Sequence, residues 1–151
     1  MNYEDKIEEH MTKINAVLAT DEQVAFAFYG IYNVKGWGSN PDLTGTWAVT
    51  NKRILFTGKA KFSSGWSGFA KAGKVIEIPY QYIVEFSVKK QKMKVIHTCE
   101  FEGKKPGAKR PVTMMPHKLK DIGGGKKESD KEWIARAEQI YNKIRELMGH
   151  A

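Results

Sequence analysis

The chain has 151 residues, 41% of them hydrophobic and 28% charged, which suits one globular domain with a single core and excludes disorder. Its net charge of +8 rests on twenty-one Lys and only four Arg, a balance that favours a solvated surface over bidentate phosphate reading. No apolar run reaches the roughly 18 residues that a membrane span needs, and the single cysteine, Cys99, excludes an internal disulfide.

In chain order, Ile7, Met11, Ile14, Val17 and Leu18 recur with helical spacing and predict an amphipathic helix over residues 3–19. Residues 1–20 read as an extension, and residues 21–148 as the domain proper. From Val24 to Val34 the β-branched, aromatic and small residues suit a strand, followed by a turn-forming loop from Asn33 to Asp42. Leu43, Gly45, Trp47 and Val49 alternate with Thr44, Thr46, Ala48 and Thr50, the pattern of a half-buried strand. Asn51-Lys52 turns it into a hairpin with Arg53–Thr57. After a Gly/Ser-rich stretch from Gly58 to Gly73, Val75–Ile78 forms a short strand that Pro79 ends. Two more strands follow at Tyr82–Lys89 and Met93–Phe101 around a Lys90-Gln91-Lys92 turn, then a last one at Val112–Met115.

Pro116 to Lys127, with three consecutive glycines, reads as a flexible connector. The final helix, 129–148, opens with a Ser129/Glu132 capping box. Its apolar stripe runs through Trp133, Ala137, Ile140, Ile144 and Leu147, widened by Ile134, Tyr141 and Met148. So broad a face needs a sheet to cover. Seven strands and one such helix predict a mainly β fold, an antiparallel barrel of two packed sheets capped by the C-terminal helix.

The segment Thr50-Asn51-Lys52-Arg53-Ile54-Leu55-Phe56 resembles the TNxRLLF hairpin of bacterial pleckstrin-homology (PH-like) and GRAM-related domains. It follows a Gly45-Thr46-Trp47-Ala48-Val49 strand, as in those families. Asp21–Val24 resembles their GE-x-V opening, and Ile78-Pro79 with Ile83 resembles their I-P-x-x-x-I entry. The order and spacing over residues 21–148 are most similar to the YokE-like subgroup. The resemblance implies a non-catalytic interaction module.

It also implies that the loops after strands one, three and six share one rim. In this sequence they hold Trp37, then Trp66 and Phe69 flanked by Lys61 and Lys71, then Lys104, Lys105, Lys109 and Arg110. Two readings stay open for these residues. They mediate protein–protein contact, self-association included, through the loops, a sheet edge or the N-terminal helix. Alternatively the rim docks on anionic lipid headgroups, with indoles at headgroup level and lysines attracted to the surface.

Charge is unevenly placed. Residues 52–127 hold eighteen Lys or Arg against five acidic residues, whereas residues 1–22 hold six acidic residues against Lys6 and Lys13. Even so, the strands lack an aromatic stacking run for RNA, so no specific nucleic acid is expected. Gly68–Lys74 has P-loop spacing, but Val75 replaces the Mg²⁺-binding hydroxyl and a strand follows instead of a helix.

His97 and Cys99, read on one strand face, lack a third orienting group, so no catalytic residue is assigned. No metal-ligand spacing occurs either. No enzyme activity, cofactor, metal or small-molecule substrate is expected. The acidic start Met1–Asp5 lacks the pattern of a signal peptide, which gives a cytoplasmic expectation, peripheral to the membrane if the rim binds lipid.

Overall fold

The computed structural model describes residues 3–34, 43–60, 74–105 and 107–149. It has a helix α1 (Tyr3–Asn15), then β1 (Val24–Val34), β2 (Leu43–Thr50), β3 (Arg53–Ala60) and β4 (Val75–Pro79). A 3-10 turn at Tyr80–Tyr82 leads to β5 (Ile83–Lys89) and β6 (Lys92–Thr98), and a second at Glu100–Glu102 leads to β7 (Lys109–Pro116). Helix α2 (Asp130–Gly149) completes the fold.

All seven strands form one antiparallel sheet in the order β4-β3-β2-β1-β7-β6-β5. The two sheets expected from sequence are joined because β1 belongs to both halves. It pairs with β2 from Val24 to Tyr32 and with β7 from Gly30 to Val34. Their inner faces meet in one core, where Trp47 packs with Phe28, Tyr32 and Phe56 opposite Met93, Val95, Val112 and Met114.

A row of glycines lets the sheet bend. Gly30 lies opposite Gly45, which lies opposite Gly58, so three neighbouring strands lack side chains along one line. A Cβ at Gly45 would stand 2.1 Å from the Thr57 carbonyl oxygen, and one at Gly30 would stand 2.3 Å from that of Met115. Backbones approach here more closely than any side chain permits.

Each helix covers a different face of the sheet. The stripe of α2 lies on the inner side, with Ile140 and Ile144 buried in the main core and Tyr141, Leu147 and Met148 beside them. The capping box forms: Ser129 Oγ accepts the Glu132 N–H, and Glu132 accepts the Ser129 N–H. Trp133 donates its indole N–H to the Pro116 carbonyl at 2.8 Å.

Helix α1 packs on the outer side of β1–β3. Ile14 is buried against Ala48 and Leu55, with Met11, Leu18, Val24, Ala27 and Val75 around them. Consequently β2 is covered on both faces. Thr46, expected on an open face, is buried and its hydroxyl bonds His10 Nδ1 at 2.8 Å. The helix is shorter than its apolar pattern suggested. It ends at Asn15, and Val17 is exposed.

Two further expectations change. Strand β6 ends at Thr98, so Cys99 caps a 3-10 turn and Phe101 lies within it. The connector after β7 is stapled. Glu128, buried, accepts the Leu119 N–H at 3.0 Å and Arg136 Nε at 2.8 Å, while Arg136 also donates to the His117 carbonyl. Gly123, Gly124 and Gly125 all take positive φ in a turn, a conformation that glycine adopts without steric cost.

Candidate functional site

The segment between β6 and β7 is a tightly wound rim. The Cys99 carbonyl accepts N–H groups from Glu102 and Lys104, and the Cys99 N–H reaches the Ala108 carbonyl at 2.9 Å. Gly103 takes φ of 76° to close the 3-10 turn. This winding presents Lys104, Lys105 and Lys109 outward, all exposed. Of the rim residues named from sequence, Trp37, Lys61, Trp66, Phe69 and Lys71 lie outside the described residues.

Arg110 differs from its lysine neighbours. Its side chain points inward and is only 9% exposed, held by Glu102 at 2.6 and 3.1 Å. The reading of Arg110 as an outward rim cation is therefore corrected. Inward strand parity and the Glu102 carboxylate turn it into the floor of the rim. Two clefts of about 230 Å³ flank it. One is lined by Val34, Cys99, Lys104 and Lys109, the other by Lys74, Ile76, Phe101 and Glu102. Lys74, at the start of β4, thus shares the rim with the β6–β7 segment.

His97 sits opposite Arg110 in the β6–β7 ladder and is almost fully buried. Its Nδ1 lies 2.8 Å from the Thr98 carbonyl, which makes Nδ1 the protonated nitrogen. Nε2 is then an acceptor, and it has no hydrogen-bond partner among the described residues. Burial, with help from the Arg110 charge, lowers the imidazole pKa and favours the neutral ring, against the raising effect of the Thr98 bond. No hydrogen bond links His97 to Cys99, whose backbone has left the strand.

At the opposite end of the sheet lies a larger open cleft of about 750 Å³ around Arg53, lined by Glu22, Asn51, Lys52, Glu77, Tyr80 and Met148 among others. Its polar groups are spent on one another. Arg53 binds Glu22 through two bonds of 2.9 Å, pairs with Glu77, and donates to the Val17 carbonyl at 2.8 Å. Thr50 Oγ1 donates to Glu22 at 2.7 Å and accepts the N–H groups of Lys52 and Arg53. Asn51 receives the Gln23 N–H and donates to the Asp21 carbonyl. Thus the hairpin Thr50–Arg53, the most distinctive motif in the sequence, pins the segment after α1 to the β2–β3 turn. Sequence reasoning missed this role; the signal was the motif together with the Asp21-Glu22 pair before it.

Burial alone would raise the Glu22 carboxyl, but bonds from Arg53, Thr50 and the Ala19 N–H outweigh it and hold the pKa at about 2, against an ordinary 4.5. A depressed folded-state value means that the stabilisation is complete above about pH 4.5 and lost as pH falls toward 2. Linkage puts its size at about 3 kcal/mol. Denaturant midpoints measured from neutral pH downward should fall through this window, and Glu22→Gln should flatten that slope. An equally steep slope in the variant would assign the acid sensitivity to other carboxylates.

Among the described residues, no three His, Cys, Asp or Glu side chains gather to hold a metal ion, and no helix is long and apolar enough to cross a membrane. No curated protein matches the chain. Among solved structures, the C-terminal domain of an unknown protein from Leishmania infantum is similar at 12% identity and a TM-score of 0.48, with 96% of each chain covered. The hSac2 domain of the human phosphoinositide phosphatase Sac2 is similar at 12% identity and a TM-score of 0.44, covering 96% of this chain and 85% of that one. The sequence profile of the bacterial PH domain family matches residues 18–118, which take in every strand from β1 to β7 and the pinned segment before them. The chain belongs to the bacterial PH domain family.

Proposed function

We propose that this bacterial PH domain is a non-catalytic interaction module whose β6–β7 rim receives an acidic partner protein. The observation behind this reading is the rim itself. Lys104, Lys105 and Lys109 stand exposed on a wound backbone, while Arg110, which faces inward, is matched by Glu102. Large hydrophobic side chains exposed among the described residues are Val17, Val84 and Ile122, none of them on this segment. Exposed lysines on this segment suit an acidic protein surface, steered by complementary potential. Against catalysis, the His97 imidazole is buried, with Nδ1 committed to a backbone carbonyl. Within the family, the Thr50–Phe56 hairpin and the Ile78-Pro79 entry support a YokE-like, GRAM-related branch.

A second reading, docking on anionic membranes, draws on the same lysines. Strands β1 and β3, which precede Trp37 and Trp66 in the sequence, both end beside the start of β2. Equilibrium binding to polyglutamate and to phosphatidylserine vesicles separates the two. The paired substitution Lys104→Glu and Lys109→Glu should weaken polyglutamate binding about tenfold or more at low salt and leave the melting temperature unchanged, because both side chains are exposed. Binding to vesicles alone would transfer the reading to membranes. Binding to neither probe would contradict it.

A further inference from the structure

We infer that strand β5 is a self-complementary edge through which two copies of this chain pair about a twofold axis. The strand closes the sheet at one end and has β6 on one side only. Lys89 and Lys92 close a two-residue turn, so their pair is hydrogen-bonded, and the alternation then sets every residue above it. Ser87 and Glu85 bond toward β6, whereas Phe86 and Val88 direct their N–H and C=O groups away from it. The Phe86 carbonyl also accepts the Tyr141 hydroxyl of α2 at 3.1 Å. A carbonyl has a second lone pair, so that bond leaves room for another.

The side chains select the occupant. Phe86 and Val88 face the core, and Glu85, Ser87 and Lys89 face outward. Turn a second β5 antiparallel with Ser87 on the axis. Phe86 then exchanges backbone bonds with Val88 of the other copy, and Glu85 stands directly opposite Lys89 on both sides of the axis. Shifting the axis to Phe86, Val88 or Lys89 breaks both charge pairs, so electrostatics fixes one register.

Each chain also has a reason to accept this neighbour. Lys89 and Lys92 oppose one another within the hairpin, with Lys90 on the turn and Lys94 on β6 beside them. Like charges so placed are destabilising. Among the described residues, neither these lysines nor Glu85 makes an ion pair within the chain. Glu85 of the second copy supplies the missing countercharge. Helix α1, the other surface on which self-association was expected, has Ile14 buried on its own sheet with Met11 partly buried beside it.

Light scattering after size exclusion, on the full chain at low salt and rising concentration, tests the pairing. Wild type should approach twice the 17.1 kDa of one chain. Glu85→Lys alone places lysine against lysine, and Lys89→Glu alone places glutamate against glutamate, so each should stay monomeric. Mixed one to one, the two variants become mutually complementary and should recover the doubled mass. Recovery on mixing also shows that both variants are folded. The double variant Glu85→Lys with Lys89→Glu restores both pairs in reversed polarity and should self-associate again. A wild-type chain that remains at 17.1 kDa throughout would overturn the inference and assign the lysines to keeping the edge unpaired. So would single variants that double in mass as wild type does, or a mixture that stays monomeric.

Discussion

Replacing Arg53 with methionine is expected to destabilise the fold by about 3–5 kcal/mol. Arg53 satisfies both oxygens of Glu22, pairs with Glu77 and holds the Val17 carbonyl. Glu22 has only 1% of its side chain exposed, so removing the guanidinium leaves a poorly hydrated carboxylate without its countercharge. Most of the loss comes from that stranded carboxylate and not from the deleted contacts. It follows that Glu22→Gln in the Arg53→Met background should recover part of the loss, although it removes a further charged group. Urea titrations of the two single variants and the double measure the coupling directly. A loss under about 1 kcal/mol for Arg53→Met would mean that the cluster is solvated and the segment after α1 is held by α1 packing alone.

Gly45→Ala is expected to cost about 3 kcal/mol, and Gly45→Val to prevent recovery of folded protein. A methyl group there would meet the Thr57 carbonyl oxygen at 2.1 Å and Gly58 Cα at 2.5 Å. Both atoms belong to backbone, so no rotamer change relieves the clash. The neighbouring strand must move, and with it the pairing of β2 with β3. Gly149→Ala is the control, because a Cβ there meets nothing within 4 Å, and its effect should stay within about 0.5 kcal/mol. Equal stabilities in denaturant titration would show that the sheet does not depend on the close approach along Gly30, Gly45 and Gly58.

Most elements were legible in the sequence because period and punctuation agreed. Pro79 ends β4, the alternation of Met93, Val95 and His97 matches the inward face of β6, and the stripe of α2 is buried as its spacing implied. The place of α1 was less legible. An amphipathic helix announces that it needs a cover but not which one, and Thr44, Thr46, Ala48 and Thr50 look like a solvent face. Small residues at those positions are what a helix laid on a sheet requires, and that reading was available. The sequence pattern overextends β6 because Cys99 and Phe101 continue the alternation, while the turn depends on Gly103 further on.

Of the residues that the resemblance placed on the rim, Lys104, Lys105 and Lys109 are exposed on the β6–β7 segment, whereas Arg110 is buried. Its inward parity follows from its pairing opposite His97, which needs the β6–β7 register and cannot be read from residue type. The Thr50–Arg53 motif is visible in the sequence, but its purpose is not. A hairpin motif reads as a family marker, yet its bonds run to residues 17–23, about thirty positions earlier in the chain.

Amide chemical-shift mapping with polyglutamate tests the central claim most directly, because it asks where an acidic partner lands. The lysine rim predicts shifts concentrated at Lys104, Lys105, Gly107 and Lys109, fading as salt rises. The larger cleft, with Asn51, Glu77 and Gln81 in its lining, should stay silent, since Arg53 there is already neutralised by Glu22 and Glu77. Shifts centred on that cleft, with the β6–β7 segment unmoved, would contradict the account.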